Sequence, residues 1–314
     1  MNEDSTTTSM PSTASVAPIE GAAHLFQWSW KGKPVTAVYE ITGVGKPILL
    51  LPAFGNVSTR TEMQGLTDRL AEKYQVVTLD WVGFGDSTRP PFDYTPTLYH
   101  AFLREFVQRV FREPVVVIAA GHAAGYVMQM AAGAQQGMPV PWSWVVLVAP
   151  TWRGPLPTAL GEHRWAYKLL RSIVRTPILG QFVYWLSATL LVLRLRYGRH
   201  VFVDRRNITR EMMRRKWRAT RRRGARFASA AFVTGALDPI LRREDWVSWF
   251  QPLPVPALMV IGDQMPPKFR VELEILAHFS SVQVYRMPGA LGLHEEYPDK
   301  LADGIVPFLD KYLS

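Results

Sequence analysis

The sequence predicts an α/β architecture: an eight-stranded, mostly parallel sheet covered on both faces, with a helical lid inserted near its middle. Three observations carry this. Short apolar runs alternate with helical patterns along most of the chain, as strands joined by helical crossovers do. Hydrophobic residues make up 48% and charged residues 20% of the 314, enough for a sizeable core and too apolar for a mainly disordered chain. Between Thr151 and Pro252 the alternation stops and only helical patterns continue.

Residues 1–22 are rich in Ser, Thr, Ala and Pro and read as a disordered tail. They lack the basic start and apolar run of a secretory signal and the arginines of a transit peptide, so a cytoplasmic protein is expected. Strands are expected at 24–30 and 34–41, on either side of the Lys31-Gly32-Lys33 turn signal, which makes the first pair a hairpin. Further strands are expected at 47–51, 75–79, 114–119, 144–149, 256–261 and 282–286. Helices are expected at 60–73, 97–111, 124–135, 267–279 and 295–312. Strands separated by helices in this way build a parallel sheet. The division is therefore a core over 23–150 and 253–314, with a lid over 151–252.

The chain contains no cysteine, which excludes disulfides, Cys-ligated zinc and thiol nucleophiles. Its seven histidines show no metal-ligand spacing, and no metal or other cofactor is expected. Gly83 and Gly85 lack the remainder of a dinucleotide fingerprint. The formal charge of +10 is local. From Arg194 to Arg226 there are 13 Arg and one Lys against Asp204 and Glu211, so the rest of the chain is slightly acidic.

Four segments carry an identity. Leu49-Leu50-Leu51-Pro52-Ala53-Phe54-Gly55 ends an early strand. Val115–Ala120 runs into Gly121-His122-Ala123-Ala124-Gly125 and an apolar helix. Pro254–Gly262 is a late strand, and His294-Glu295-Glu296-Tyr297-Pro298 opens the last helix. In this order and spacing the chain resembles the α/β-hydrolase fold from about Ala23 to the C-terminus, and in general pattern it is similar to hydrolase-like proteins of cyanobacteria. The resemblance implies a nucleophile elbow, where the central residue of G-x-x-x-G stands above the sheet. That residue is Ala123, and a methyl group attacks nothing. The acid of the family falls three residues after Gly262, at Met265, with Asp263 two places early. Its histidine falls near Leu291 or Gly292, and His294 matches a different residue.

Three functional readings stay open, the last of them a purely structural partner in a membrane-associated assembly. The first is a pseudoenzyme that binds an apolar or amphipathic small molecule, or a protein partner, at a membrane surface. The resemblance implies backbone donors at Phe54 and Ala124, with His122 and Ala123 beside them, under a mainly apolar cavity. The second is a hydrolase acting on a lipid or ester-like substrate through Asp263, His294 and a bound water. Beside them, His122 reads more simply as packing behind the strand, and Asp86 and Asp238 as turn caps.

Residues 178–193 read ILGQFVYWLSATLLVL, too short for a confident membrane span. Core packing over the sheet accounts for such a run. An interfacial segment accounts for it equally: the apolar part enters the acyl boundary, and the arginine block from Arg194 to Arg226 meets anionic head groups. No nucleic-acid motif accompanies the arginines, so nucleic acid is not expected. The protein is then cytoplasmic and peripheral to a membrane.

Overall fold

The computed structural model describes residues 22–161 and 163–313; the tail expected over 1–22 lies, except for Ala22, outside them. Eight strands form one sheet: β1 (Ala23–Trp30), β2 (Lys33–Thr42), β3 (Pro47–Leu51), β4 (Gln75–Leu79), β5 (Val115–Ala120), β6 (Trp142–Val148), β7 (Ala257–Gly262) and β8 (Val282–Met287). Their spatial order is β1-β2-β4-β3-β5-β6-β7-β8. β1 and β4 flank β2 antiparallel, and all later pairs are parallel. Burial follows position. All six residues of β5 and of β7 are buried, as strands covered on both faces must be, whereas edge strand β1 alternates.

The helices are α1 (Gln64–Leu70), α2 (Pro96–Val110), α3 (Ala123–Ala132), α4 (Pro155–Leu160), α5 (Arg164–Arg175), α6 (Ile178–Ser187), α7 (Leu190–Arg196), α8 (Arg210–Arg221), α9 (Ala225–Val233), α10 (Arg243–Ser248), α11 (Pro267–Ala277), α12 (Leu293–Glu296) and α13 (Pro298–Leu313). The seven from α4 to α10 lie between β6 and β7 and form the lid. Two expected helices are broken. Residues 60–73 begin as a 3-10 turn, Arg60–Met63, before α1. The last helix restarts at Pro298, because proline has no N–H to continue the hydrogen-bond ladder from α12. β6 starts at Trp142, two residues before expectation, and its register against β5 shifts between Val115 and Val116.

The loop after β4 is held by a buried carboxylate. Asp80 is fully buried and accepts hydrogen bonds from the N–H groups of Arg60 at 2.6 Å and Asp86 at 2.8 Å. Gly85 has φ +51°, and a Cβ there would lie 2.0 Å from the Asp80 carboxylate, so only glycine fits. Asp86 therefore does not cap this turn as expected; Asp80 does. The Asp86 side chain instead joins Arg60 at 2.7 Å to Arg222 of the lid.

Candidate functional site

The turn from β5 into α3 falls on Gly121. Its φ is +52°, the left-handed conformation that glycine adopts at no steric cost. Its N–H donates to Val148 O at 2.9 Å, and its carbonyl accepts from Thr151 N at 3.0 Å and Ala124 N at 3.2 Å. A Cβ on Gly121 would come within 3.1 Å of Ala53 Cβ, so this turn lies directly against the loop after β3. Ala123 is the first residue of α3 and fully buried. The residue placed at the elbow is thus Gly121 and not Ala123. The small residues of 119–125 offer two frames, one centred on Gly121 and one on Ala123, and the backbone takes the one that puts a glycine, rather than an alanine, at positive φ.

The donor pair shifts with the turn. The Ala124 amide is engaged by Gly121 O. The residue after the turn is His122, and among the described residues neither its N–H nor that of Phe54 has an acceptor. Phe54, His122, Ala123 and Ala124 are each at most 4% exposed. Phe232 of α9 lies over His122 with ring centroids 5.4 Å apart and over Phe54 at 6.4 Å. Phe54 itself stacks on Trp81 at 4.7 Å. Lid side chains fill the space in which an apolar cavity was expected.

His122 is held from the lid side. Its Nε2 lies 2.9 Å from Leu237 O and 3.6 Å from Asp238 Oδ1, and Tyr126 OH donates to the same carbonyl at 2.6 Å. Burial pushes the imidazole pKa down to about 4, so the ring is neutral at pH 7 and Nε2–H donates to Leu237 O. Asp238 accepts from Gly154 N at 2.8 Å, a cap where the lid begins.

An eight-stranded sheet with this strand order, a tight left-handed turn after the central strand and a helical insertion after β6 is matched by sequence. The profile of the Alpha/beta hydrolase family matches residues 48–303. The chain belongs to that family. The match is to the family as a whole and distinguishes no cyanobacterial subtype. Among curated proteins, the uncharacterized proteins Rv2715 of Mycobacterium tuberculosis and Mb2734 of Mycobacterium bovis are 30% identical over 93 residues, 30% of this chain and 27% of theirs. The matched stretch thus spans about a quarter of the relatives' length. Among solved structures, a thermophilic esterase from Thermogutta terrifontis superposes with TM-score 0.72 at 16% identity, covering 93% of this chain and 100% of the esterase. Cfl2 from Burkholderia cenocepacia superposes with TM-score 0.68 at 20% identity, covering 92% and 96%. At these identities the structures establish the fold alone.

The positions at which the resemblance places an acid and a histidine carry apolar side chains. Met265, three residues after the end of β7, is 4% exposed. Leu291 lies in the loop before α12, its N–H donating to His200 O of the lid at 3.4 Å. The two displaced candidates are not brought together. Asp263 is exposed at the surface, where its carbonyl accepts from Arg270 at 3.1 Å. His294 is buried and its Nε2 lies 3.8 Å from Glu62 Oε2. His294 is a member of a different cluster, so the Asp263–His294 pair expected for a water-activating site does not form.

That cluster was missed in the sequence. Lys216 of α8 places its ammonium 2.9 Å from Glu62 and 2.8 Å from Glu295. Ser58 Oγ lies 3.1 Å from Glu62, Tyr197 OH lies 3.4 Å from Glu295, and the Lys216 ammonium sits 5.0 Å from the Tyr197 ring centroid. Burial pushes the Glu62 carboxyl up, but Lys216 and His294 outweigh it and hold it below the usual range. Glu295 is raised, by burial and by the Glu62 charge beside it. Burial alone would lower Lys216; the two carboxylates instead hold it well above the usual lysine value. A signal existed: Met212, Met213, Lys216 and Thr220 form the buried stripe of α8. The single lysine of the arginine block stands where a helix of this spacing faces inward.

Proposed function

We propose that this family member acts without the hydrolytic triad and docks on an anionic membrane surface through its lid. The supporting observation is the outer face of α5, α6 and α7. Trp165 is 75% exposed, Ile178 87%, Phe182 57%, Leu191 69% and Leu195 65%. Exposed bulk on three successive helices exceeds the scatter of single apolar residues normal on a soluble surface. No single described helix is long and apolar enough to cross a membrane; α6 and the segment Leu190–Val201 reach that length together but bend by 50°. A bent pair with one apolar face suits a position along the interface.

Charge supports the same orientation. Arg199, Arg210, Arg214, Arg215, Arg218 and Arg223 have no carboxylate partner among the described residues. Arg221 is sandwiched, 5.5 Å from the Trp185 ring and 4.8 Å from Trp217. Each basic side chain near an anionic leaflet contributes about 1 kcal/mol, screened over roughly 10 Å. Burying a large apolar side chain contributes about 1.5–3 kcal/mol. Reversible attachment needs only a few of each.

Cosedimentation tests the reading. The protein is expected to pellet with phosphatidylglycerol-containing vesicles and not with pure phosphatidylcholine. Salt should weaken the binding without abolishing it, and Phe182→Ala/Trp185→Ala should remove the salt-resistant part. Equal partitioning to both vesicle types, or to neither, would overturn it.

A further inference from the structure

A cavity of about 250 Å³ lies between α5 and the segment that follows α9. Arg164, Lys168 and Arg171 of α5 line it, at positions that share one helix face, together with Trp152, Tyr167 and Asp238. The one carboxylate of this wall accepts from Gly154 N at 2.8 Å and lies 3.6 Å from His122 Nε2, and it faces four basic residues, Arg153 among them. Lys168 has no acidic partner among the described residues. Arg171 donates one hydrogen bond, from Nη1 to Thr234 Oγ1 at 3.3 Å, which leaves the rest of its guanidinium fork unassigned. Like charges converging on one concave wall repel each other and focus a positive potential into it.

We infer that this cavity binds the phosphoryl group of a phosphate ester. An arginine fork matches phosphate oxygens in pairs and a lysine adds a point charge. Trp152 and Tyr167 supply walls for the organic part, and Leu241, 57% exposed, lines the same cavity. The next row of α5 exposes Trp165 and Leu169, so the ester can come from solution or from a lipid head group. The inference does not rest on the membrane reading.

The test is calorimetric titration of the full chain with inorganic phosphate and with glycerol 3-phosphate at fixed ionic strength, against chloride. Saturable binding of both is expected. Lys168→Ala/Arg171→Ala should weaken it at least tenfold with an unchanged circular dichroism spectrum. Lys168→Arg should retain it, and Arg214→Ala/Arg215→Ala on α8 should leave it within twofold. Vesicles containing phosphatidic acid then separate the sources. Loss of vesicle binding in the α5 variant alongside loss of phosphate binding identifies a lipid head group; unchanged vesicle binding identifies a soluble ester. Phosphate binding without any vesicle binding keeps the site and removes the membrane reading. No saturable binding, equal effects from chloride, or equal loss in the α8 variant would overturn the inference.

Discussion

The ammonium of Lys216, on a lid helix, lies 2.9 Å from the carboxylate of Glu62, on the core turn after β3. Both side chains are 6% exposed, so the lid is fixed to the core by a charge contact sealed from water. Removing one partner of such a pair costs about 3–5 kcal/mol, because the other charge stays buried and unpaired. Lys216→Met should therefore lower the denaturation midpoint strongly and expose the lid to limited proteolysis. Lys216→Met/Glu62→Gln should recover part of the loss. A single variant as stable as the parent would show that the contact does not hold the lid.

His122 sets a second expectation. Its folded pKa of about 4 lies below the unfolded histidine value of about 6.5. Between these values the unfolded chain binds the extra proton. Stability is therefore complete above roughly pH 6.5 and falls as pH drops toward 4, by on the order of 3 kcal/mol from this group. His122→Gln keeps a donor for Leu237 O and does not titrate, so its denaturation midpoint should vary less with pH over that window. An identical pH slope in parent and variant would remove His122 as the cause.

The chemistry of the elbow is testable directly. The parent should form no adduct with fluorophosphonate probes and should not turn over activated esters, since Gly121 carries no nucleophile. Gly121→Ser alone should remain inert, because Met265 and Leu291 supply neither acid nor base. Gly121→Ser/Met265→Asp/Leu291→His should gain measurable ester turnover only when Phe232→Ala is added to open the space above the elbow. Fast turnover by the single variant would show that a working acid and base survive elsewhere and that the lid admits substrate to the elbow.

The sheet was legible because its central strands are unbroken apolar runs, such as Val115–Ala120, and its edge strands alternate. The insertion was legible because the strand signal stops after β6. The elbow frame was not, because Gly121 and Ala123 each stand between small residues two places away on either side, and only backbone φ separates them. Nor was the space above the elbow: that Phe232 and Leu237 close over His122 depends on how the lid folds back, about 110 residues along the chain. Asp263 and His294, both displaced from the family positions, stayed open as an alternative acid and base, and the fold places one at the surface and the other against Glu62.

The chain has no cysteine, so one introduced thiol gives one label. Ile178→Cys, Phe182→Cys and Leu191→Cys, each carrying an environment-sensitive fluorophore, report whether the lid face enters the acyl region. Val44→Cys, at a core loop position 80% exposed, is the control. On anionic vesicles the emission should become blue-shifted and brighter at 178, 182 and 191 and stay unchanged at 44. Equal responses at all four positions, or none at the lid positions while the protein cosediments, would contradict entry of the lid face.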